Sequence, residues 1–351
     1  MHPELFRIPF TELTVKSYGT MMVIGFVAAI FVIRRLSRDI GQENTEHITT
    51  AALYSLIAGI VGSRIFYVVH YWQQQFSGKG LLEIFAVWKG GLELLGGVFF
   101  SIIVIVLYLW TQKLPVRRYL DILAIGLMLA LVFGRIGCLF NGCCYGRPMC
   151  AFVSIRFPYG SLSYQSQVRP DKTRNREEPY IELPSEFFGY INDANEWVVA
   201  PESDKYDYYL KPFDRLTEQE KSEVTAGEYR SLKICPTQIY ESLSALAGCI
   251  LLYLHRKGGI EQQKKRKTTS VFFRPGVTFA LMFIIYGFMR FFIEFIRDDN
   301  PYQADGITIS QNLSIAMVII GFLLIWLFSK MSQTLHSFSG GAKPDKLSAP
   351  N

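Results

Sequence analysis

Apolar residues along this chain gather into long blocks, separated by short polar segments that are often basic. Crossing about 30 Å of hydrocarbon as a helix takes about 20 mostly apolar residues. The stretches Tyr18–Ile33, Thr50–His70, Leu95–Trp110, Leu120–Leu139, Ile239–Leu254, Val277–Phe295 and Ile309–Phe328 have that character. The third and seventh are the cleanest, whereas the second, fifth and sixth carry polar residues inside. Any one block could be a buried helix of a soluble protein. Seven of them in 351 residues leave too little polar surface for a soluble fold. The pattern therefore predicts an all-α polytopic membrane protein of about seven transmembrane helices.

Polar pattern divides the chain further. The stretch from Asn141 to Pro236 is long, rich in Pro, Tyr and acidic residues, and too aromatic for a disordered linker. It is expected to form a small α+β head, and its start, Val153–Gln167, alternates as a strand would. Residues 1–140 would hold helices 1–4, 141–236 the head, 237–330 helices 5–7, and 331–351 a flexible tail. No internal repeat of 20–50 residues is visible.

Charge placement sets an orientation. Arg34, Arg35 and Arg38 follow the first block, and Lys113, Arg117 and Arg118 follow the third. Arg256, Lys257, Lys264, Lys265, Arg266, Lys267 and Arg274 follow the fifth, and Lys330, Lys343 and Lys346 the seventh. Since cytoplasmic loops carry the excess of Lys and Arg, the N-terminus and the head are expected outside and the C-terminus in the cytoplasm. The net charge of +6 is concentrated at those junctions, so it speaks for lipid rather than nucleic acid. The opening MHPELFRIPFTELTV lacks a basic segment leading into an apolar core, so the first block is expected to remain in the protein.

An ionisable side chain inside a membrane helix costs about 2.5–3.5 kcal/mol on insertion scales, so it usually faces the protein interior and has a task. Here Arg64, Arg135, Glu241, Arg290, Glu294 and Arg297 fall in or beside apolar blocks, all toward the outer ends under this topology. Arg290 and Glu294 are one helical turn apart and Arg297 follows by three, giving a basic–acidic–basic stripe on one face. Such residues can snorkel or lock helices together. Fixed guanidinium groups at headgroup depth also match phosphate oxygens in a bidentate way that lysine does not. Arg135 and Arg290 are the prime candidates for holding an anionic phospholipid.

These residues sit in motifs that resemble the prolipoprotein diacylglyceryl transferase family. The motifs are SYG at Ser17–Gly19, GSR at Gly62–Arg64, WKGGLELLGG at Trp88–Gly97 and GRIGCLFNGCCYG at Gly134–Gly146. PTQIYE at Pro236–Glu241, YGFMRFFIEFIR at Tyr286–Arg297 and SQNLSI at Ser310–Ile315 complete the set. The resemblance implies an enzyme of the bacterial inner membrane, partnered by phosphatidylglycerol and by the lipobox segment of a preprolipoprotein. It would move the diacylglyceryl group onto the lipobox cysteine, forming a thioether and releasing glycerol 1-phosphate. It implies Arg135, Arg290 and Glu294 as catalytic residues. Tyr18, Asn141, Gly146 and Glu241, with Arg297, Gly96 and Gly97, would make up the lipid-binding set. No cofactor, metal or nucleic acid is implied.

The sequence departs from the family at two places. Leu95 stands where the family often has a His or Tyr with a base role, and Cys138 and Cys143 replace the Asn and Glu of the glycine-arginine signature. His70 and Glu93 are the alternative base candidates, or no side-chain base is needed. The departures also leave open a divergent member with altered substrate or no activity. Outside the family, a transporter using the charged stripe as a pathway and a non-catalytic scaffold are the competing classes. Of the six cysteines, Cys143, Cys144, Cys150 and Cys235 are disulfide candidates in an oxidising compartment, with no pairing fixed. Zinc is the sharper alternative, but there is no paired CxxC and no histidine nearby.

Overall fold

The computed structural model describes residues 4–7, 14–40, 45–72, 76–77, 80, 83–85, 91, 93–148, 153–265, 270–303 and 306–331. A short antiparallel pair, β1 (Glu4–Arg7) and β2 (Thr14–Lys16), leads into α1 (Ser17–Ser37). Three more long helices follow: α2 (Thr45–His70), α3 (Leu94–Thr111) and α4 (Val116–Asn141). The head comes next, with α5 (Leu162–Gln167), β3 (Phe188–Ile191), β4 (Trp197–Val199), β5 (Tyr209–Leu210) and α6 (Glu218–Thr225). The chain returns through α7 (Thr237–Lys265), α8 (Val277–Glu294) and α9 (Ile309–Lys330).

Among the described residues, α1, α2, α4, α7, α8 and α9 are long and apolar enough to cross a membrane, and α3 is a shorter apolar helix. At 1.5 Å per residue α3 extends about 27 Å, close to the hydrocarbon thickness. The seven expected blocks thus all fall on helices. The protein is a multi-pass membrane protein, mostly helical, with a small sheet inserted between α4 and α7.

The bundle is organised around α4, which packs against α1, α7 and α8, while α9 lies along α8. Ile122, Ile125 and Met128 of α4 meet Leu252 of α7 in a fully buried core. Large apolar side chains such as Phe31, Ile57, Phe99, Leu323 and Trp326 point outward, as lipid-facing residues must. α2 and α3 form a tight pair of their own, because Gly62 and Gly96 let the two backbones meet. A Cβ on Gly96 would sit 2.5 Å from the Gly62 carbonyl oxygen.

One helix start is capped from a distant element and another from within its own first turn. Gly276 precedes α8 and offers no side chain, so the buried Asp121 of α4 accepts from the backbone N–H groups of Gly276 (2.8 Å) and Phe279 (2.9 Å). α9 opens with a capping box of Thr308 and Gln311.

The head is α+β, with strands in the order β4-β3-β5, all antiparallel, over a core of Tyr164, Leu183, Phe187 and Phe188. Its strands are not where the alternation placed them. Within Val153–Gln167, Ile155 makes only an isolated bridge to Ile234, and Leu162–Gln167 is helical. Gly160, at φ +76°, turns the chain, and the Ser161 side chain caps the helix start. The expected flexible tail, 332–351, lies outside the described residues.

Candidate active site

Four helix ends meet beneath the head. Arg135 belongs to the last two turns of α4, Glu241 to the first of α7, Arg290 and Glu294 to the end of α8, and Ser310 to the start of α9. At their centre the buried Glu241 carboxylate receives three guanidinium groups. Arg135 Nε lies 2.8 Å from Oε2 and Arg297 Nη1 2.9 Å from Oε1, and Arg290 Nη1 also donates to Oε1. Arg290 reaches Glu294 Oε2 at 2.8 Å, one turn along its helix, and Ser310 Oγ at 2.9 Å. Glu294 is held in turn by Asn300 (2.6 Å) and the Thr308 hydroxyl (2.8 Å). Arg297 grips Asp299 with Nε (2.9 Å) and Nη2 (2.7 Å).

Three arginines are therefore balanced by Glu241, Glu294 and Asp299 in a site of low dielectric. Burial works against a charge on Arg297, but Glu241 and Asp299 outweigh it and hold its pKa above the ordinary value. Burial pushes the Asp299 carboxyl upward, with Arg297 opposing. The three guanidinium groups are not equally committed. Side-chain exposure is 18% for Arg135, 10% for Arg290 and 4% for Arg297. Arg135 is the most open of the three, and Arg297 is saturated by carboxylates.

The head locks this end of the bundle. Arg174 donates to the carbonyls of Arg297 and Asn300, Arg176 pairs with Asp298 at 3.0 Å, and Arg147 donates to the Tyr302 hydroxyl. Gly146 bridges Arg297 backbone to backbone, and a Cβ there would lie 2.7 Å from Cys235 and 2.9 Å from Thr237. Only glycine fits.

Beside Arg135 lie three thiols. Asn141 ends α4, Gly142 takes φ +74°, and Cys144 takes φ +59°, a left-handed conformation rare for a residue with a side chain. The turn is pinned by Gln238, which donates to the Cys143 carbonyl (2.7 Å), and by Thr237, which donates to that of Cys144 (2.6 Å). As a result the Sγ atoms of Cys138, Cys143 and Cys144 lie within 4.8 Å of one another, and Arg135 Nη1 is 3.6 Å from Cys144 Sγ. Interaction with the neighbouring Cys138 and Cys143 side chains, with Arg297 and Arg135 beside it, holds the Cys144 thiol below its usual range. Cys143 and Cys144 are free thiols, so the disulfide expected of them is corrected: their sulfurs turn toward Cys138. Cys235 is disulfide-bonded, and Cys150 lies outside the described residues.

The remaining expected site residues divide in two. Tyr18 packs against Gly137 and interacts electrostatically with Arg135 and the three cysteines, and so joins the cluster. His70 and Glu93 pair with each other at 3.3 Å on the α2–α3 unit, and no hydrogen bond or ion pair described joins either to the arginines. Gly96 and Gly97 pack against the backbone of α2 at Gly62 and Gly59, not against the arginine cluster. Arg64, also on α2, is buried and donates to the carbonyls of Glu83, Ile84 and Gly91, where it fastens a loop.

Comparison with known proteins bears directly on this arrangement. The family model described as prolipoprotein diacylglyceryl transferase matches residues 3–327. The chain belongs to that family. Relatives named phosphatidylglycerol–prolipoprotein diacylglyceryl transferase include one from Rhodopirellula baltica, 27% identical over 90% of this chain and 72% of that protein. Another, from Clostridium tetani, is 24% identical over 92% of this chain and 96% of its own length. A third, from Clostridium perfringens and carrying the same name with the suffix 2, is 27% identical over 89% and 90%.

Within this transferase the structure adds residues that the sequence reading passed over. Ser310, Asn300, Thr308 and Asp299 hold the arginine–carboxylate network, and Arg174 and Arg176 of the head hold the loop that carries Arg297. The run DDNP after the last arginine, placed against the end of a charged helix, was the available signal for Asp299 and Asn300. The head arginines carried none.

Proposed function

We propose that this transferase moves the sn-1,2-diacylglyceryl group of phosphatidylglycerol onto the lipobox cysteine thiol of a preprolipoprotein, at the outer face of the bacterial inner membrane. In this reading the N-terminus faces outward and the C-terminus the cytoplasm, consistent with the basic junctions on every second loop. The observation that supports it most is the convergence of Arg135, Arg290 and Arg297 on Glu241 at one end of the bundle, with Arg135 the most open. A pathway for transport would distribute charge through the membrane depth. These charges gather at one end.

The chemistry follows from where charge develops. The sulfur attacks the glycerol CH2 carbon, a C–S bond forms, and the C–O bond to phosphate breaks with its electron pair going to oxygen. A phosphodiester carrying one negative charge becomes a phosphomonoester approaching two. Arg135 and Arg290 would take up that growing charge, which stabilises the transition state more than the bound lipid. Glu241 and Glu294 hold the guanidinium groups in place so that little reorganisation accompanies the reaction. Arg297, saturated by Glu241 and Asp299, acts as a positioning residue. Tyr18, Asn141 and Gly146 shape the surroundings of Arg135. The test is incubation of the purified protein with headgroup-labelled phosphatidylglycerol and a lipobox peptide. Release of labelled glycerol phosphate with a matching thioether on the peptide is the expected result. Absence of both, with the protein well folded, removes the proposal.

A further inference from the structure

We propose that Cys138, Cys143 and Cys144 form a three-sulfur zinc site whose open fourth position takes the thiol of the substrate cysteine. The proposal rests on the transferase reading above and names how its nucleophile is prepared.

Zinc takes sulfur at about 2.3 Å in tetrahedral geometry, so three bound sulfurs stand about 3.8 Å apart. Here the three Sγ atoms already lie within 4.8 Å of one another, about 1 Å from that spacing. All three are free thiols. The turn that gathers them is held in a costly shape, with Cys144 at φ +59°, and is fastened by Gln238 and Thr237 through the carbonyls of Cys143 and Cys144. Strain of this kind persists only where the surroundings impose it, and it concentrates at functional sites. Cys138 is buried and Cys143 and Cys144 are half-buried, so the trio has a closed side in the bundle and an open side toward solvent. The three arginines are already balanced by Glu241, Glu294 and Asp299, so three thiolates would add a negative charge that a dication offsets.

The ligand number separates a structural role from a catalytic one. Structural zinc is closed by four protein ligands, whereas catalytic zinc keeps one position open. Among the described residues no fourth His, Cys, Asp or Glu joins the trio. Cys143 and Cys144 instead line an open groove of about 400 Å3, walled by Tyr145, Arg169, Arg176 and Asp299 between the membrane end and the head. A peptide lying there would bring its cysteine to the open position. Arg135, 3.6 Å from Cys144 Sγ, places the phosphate next to the same point.

Binding would convert the substrate thiol to a zinc-bound thiolate and release its proton to water, with no side-chain base required. The sulfur lone pair then attacks the glycerol carbon, the C–O bond breaks toward phosphate, and the product thioether, uncharged and a weaker ligand, leaves the metal. No oxidation state changes. This accounts for Leu95 where the family often has a His or Tyr.

Cobalt(II) is the probe. Full-length protein in detergent, stripped by chelator and given Co(II), should bind one equivalent with sulfur-to-cobalt charge-transfer and tetrahedral ligand-field bands. Cys138→Ser and Cys143→Ser should each lose those bands, whereas Cys249→Ser, buried between helices, should keep them. A lipobox peptide should strengthen the charge-transfer band, and its Cys→Ser analogue should not. Should either serine variant fold poorly, wild-type protein decides: zinc should shield all three thiols from maleimide, counted by mass spectrometry. No stoichiometric binding, binding that survives Cys138→Ser, spectra indifferent to the peptide, or unshielded thiols overturns the proposal. Full transfer by metal-free protein also overturns it and leaves the transferase reading intact. Peptide-responsive cobalt without any transfer upholds the site and removes the transferase reading instead.

Discussion

Replacing Glu241 by Gln probes the charge balance of the site with little change of shape. The carboxylate pairs with Arg135 at 2.8 Å and accepts from Arg297 (2.9 Å) and Arg290 while only 5% exposed. Glutamine keeps one oxygen for two of these partners but turns an NH2 donor toward the third. It also leaves three guanidinium groups facing two carboxylates, Glu294 and Asp299. Removing one partner of a buried pair costs about 3–5 kcal/mol. A second route agrees: two guanidinium charges about 5 Å apart, at an effective dielectric near 20, repel by about 3 kcal/mol. Part of this returns as tighter ground-state binding of an anionic lipid, which does nothing for the chemical step. Displacement of the arginines by about 1 Å should lower turnover about a hundredfold. Thermal unfolding in detergent, lipid binding and single-turnover transfer should be measured together. Expected are reduced stability, unchanged or tighter phosphatidylglycerol binding and much slower transfer. A Gln variant with wild-type stability and turnover would show that Glu241 does not organise the site.

Other substitutions separate the layers of the structure. Gly146→Ala forces a Cβ within 2.7 Å of Cys235 and should cost about 1–3 kcal/mol while slowing transfer through the Arg297 bridge, as melting and activity assays would report. Asp121→Ala removes two hydrogen bonds from the start of α8 and should lower stability by about 1–3 kcal/mol. It lies at the opposite end of α8 from Arg290, so turnover well below the melting temperature should be unchanged. His70→Ala and Glu93→Gln should each retain most turnover, since their pair sits on the α2–α3 unit; a loss of about a hundredfold in either would restore a dedicated base.

Much of this was legible before any coordinates, and the exceptions have physical causes. Apolar blocks gave the helices because the lipid tolerates little else, and α7 overran its expected end at Leu254, continuing through the polar residues as far as Lys265. Arg290 and Glu294 could be grouped from spacing alone, as one helix face carries them, whereas Arg297, expected on the same face, lies past the end of α8 and reaches Glu241 from the following loop. Glu241 as the shared counter-ion could not, since its partners Arg290 and Arg297 lie 49 and 56 residues away and only the packing of α7 on α8 joins them. The head sheet was sought at Val153–Gln167, but a turn at Gly160 and a cap at Ser161 made that segment partly helical, and the sheet formed around the polar Asn192–Asn195 turn. Compartment favoured disulfides for Cys143 and Cys144, yet a left-handed Cys144 turned both sulfurs inward to Cys138. Asp121 was not singled out from the sequence, because its task as the cap of α8 depends on a neighbour 155 residues on.

The claim on which the rest depends is that Arg135 and Arg290 act together on one phosphate. Initial rates of diacylglyceryl transfer by Arg135→Ala and Arg290→Ala, at matched amounts of folded protein, test it most directly. Loss of one such donor should slow transfer about 10²–10³-fold. The double variant should be little slower than the worse single one, because both groups serve the same charge. Either single variant working at near wild-type rate, or two independent losses that multiply, would contradict the account.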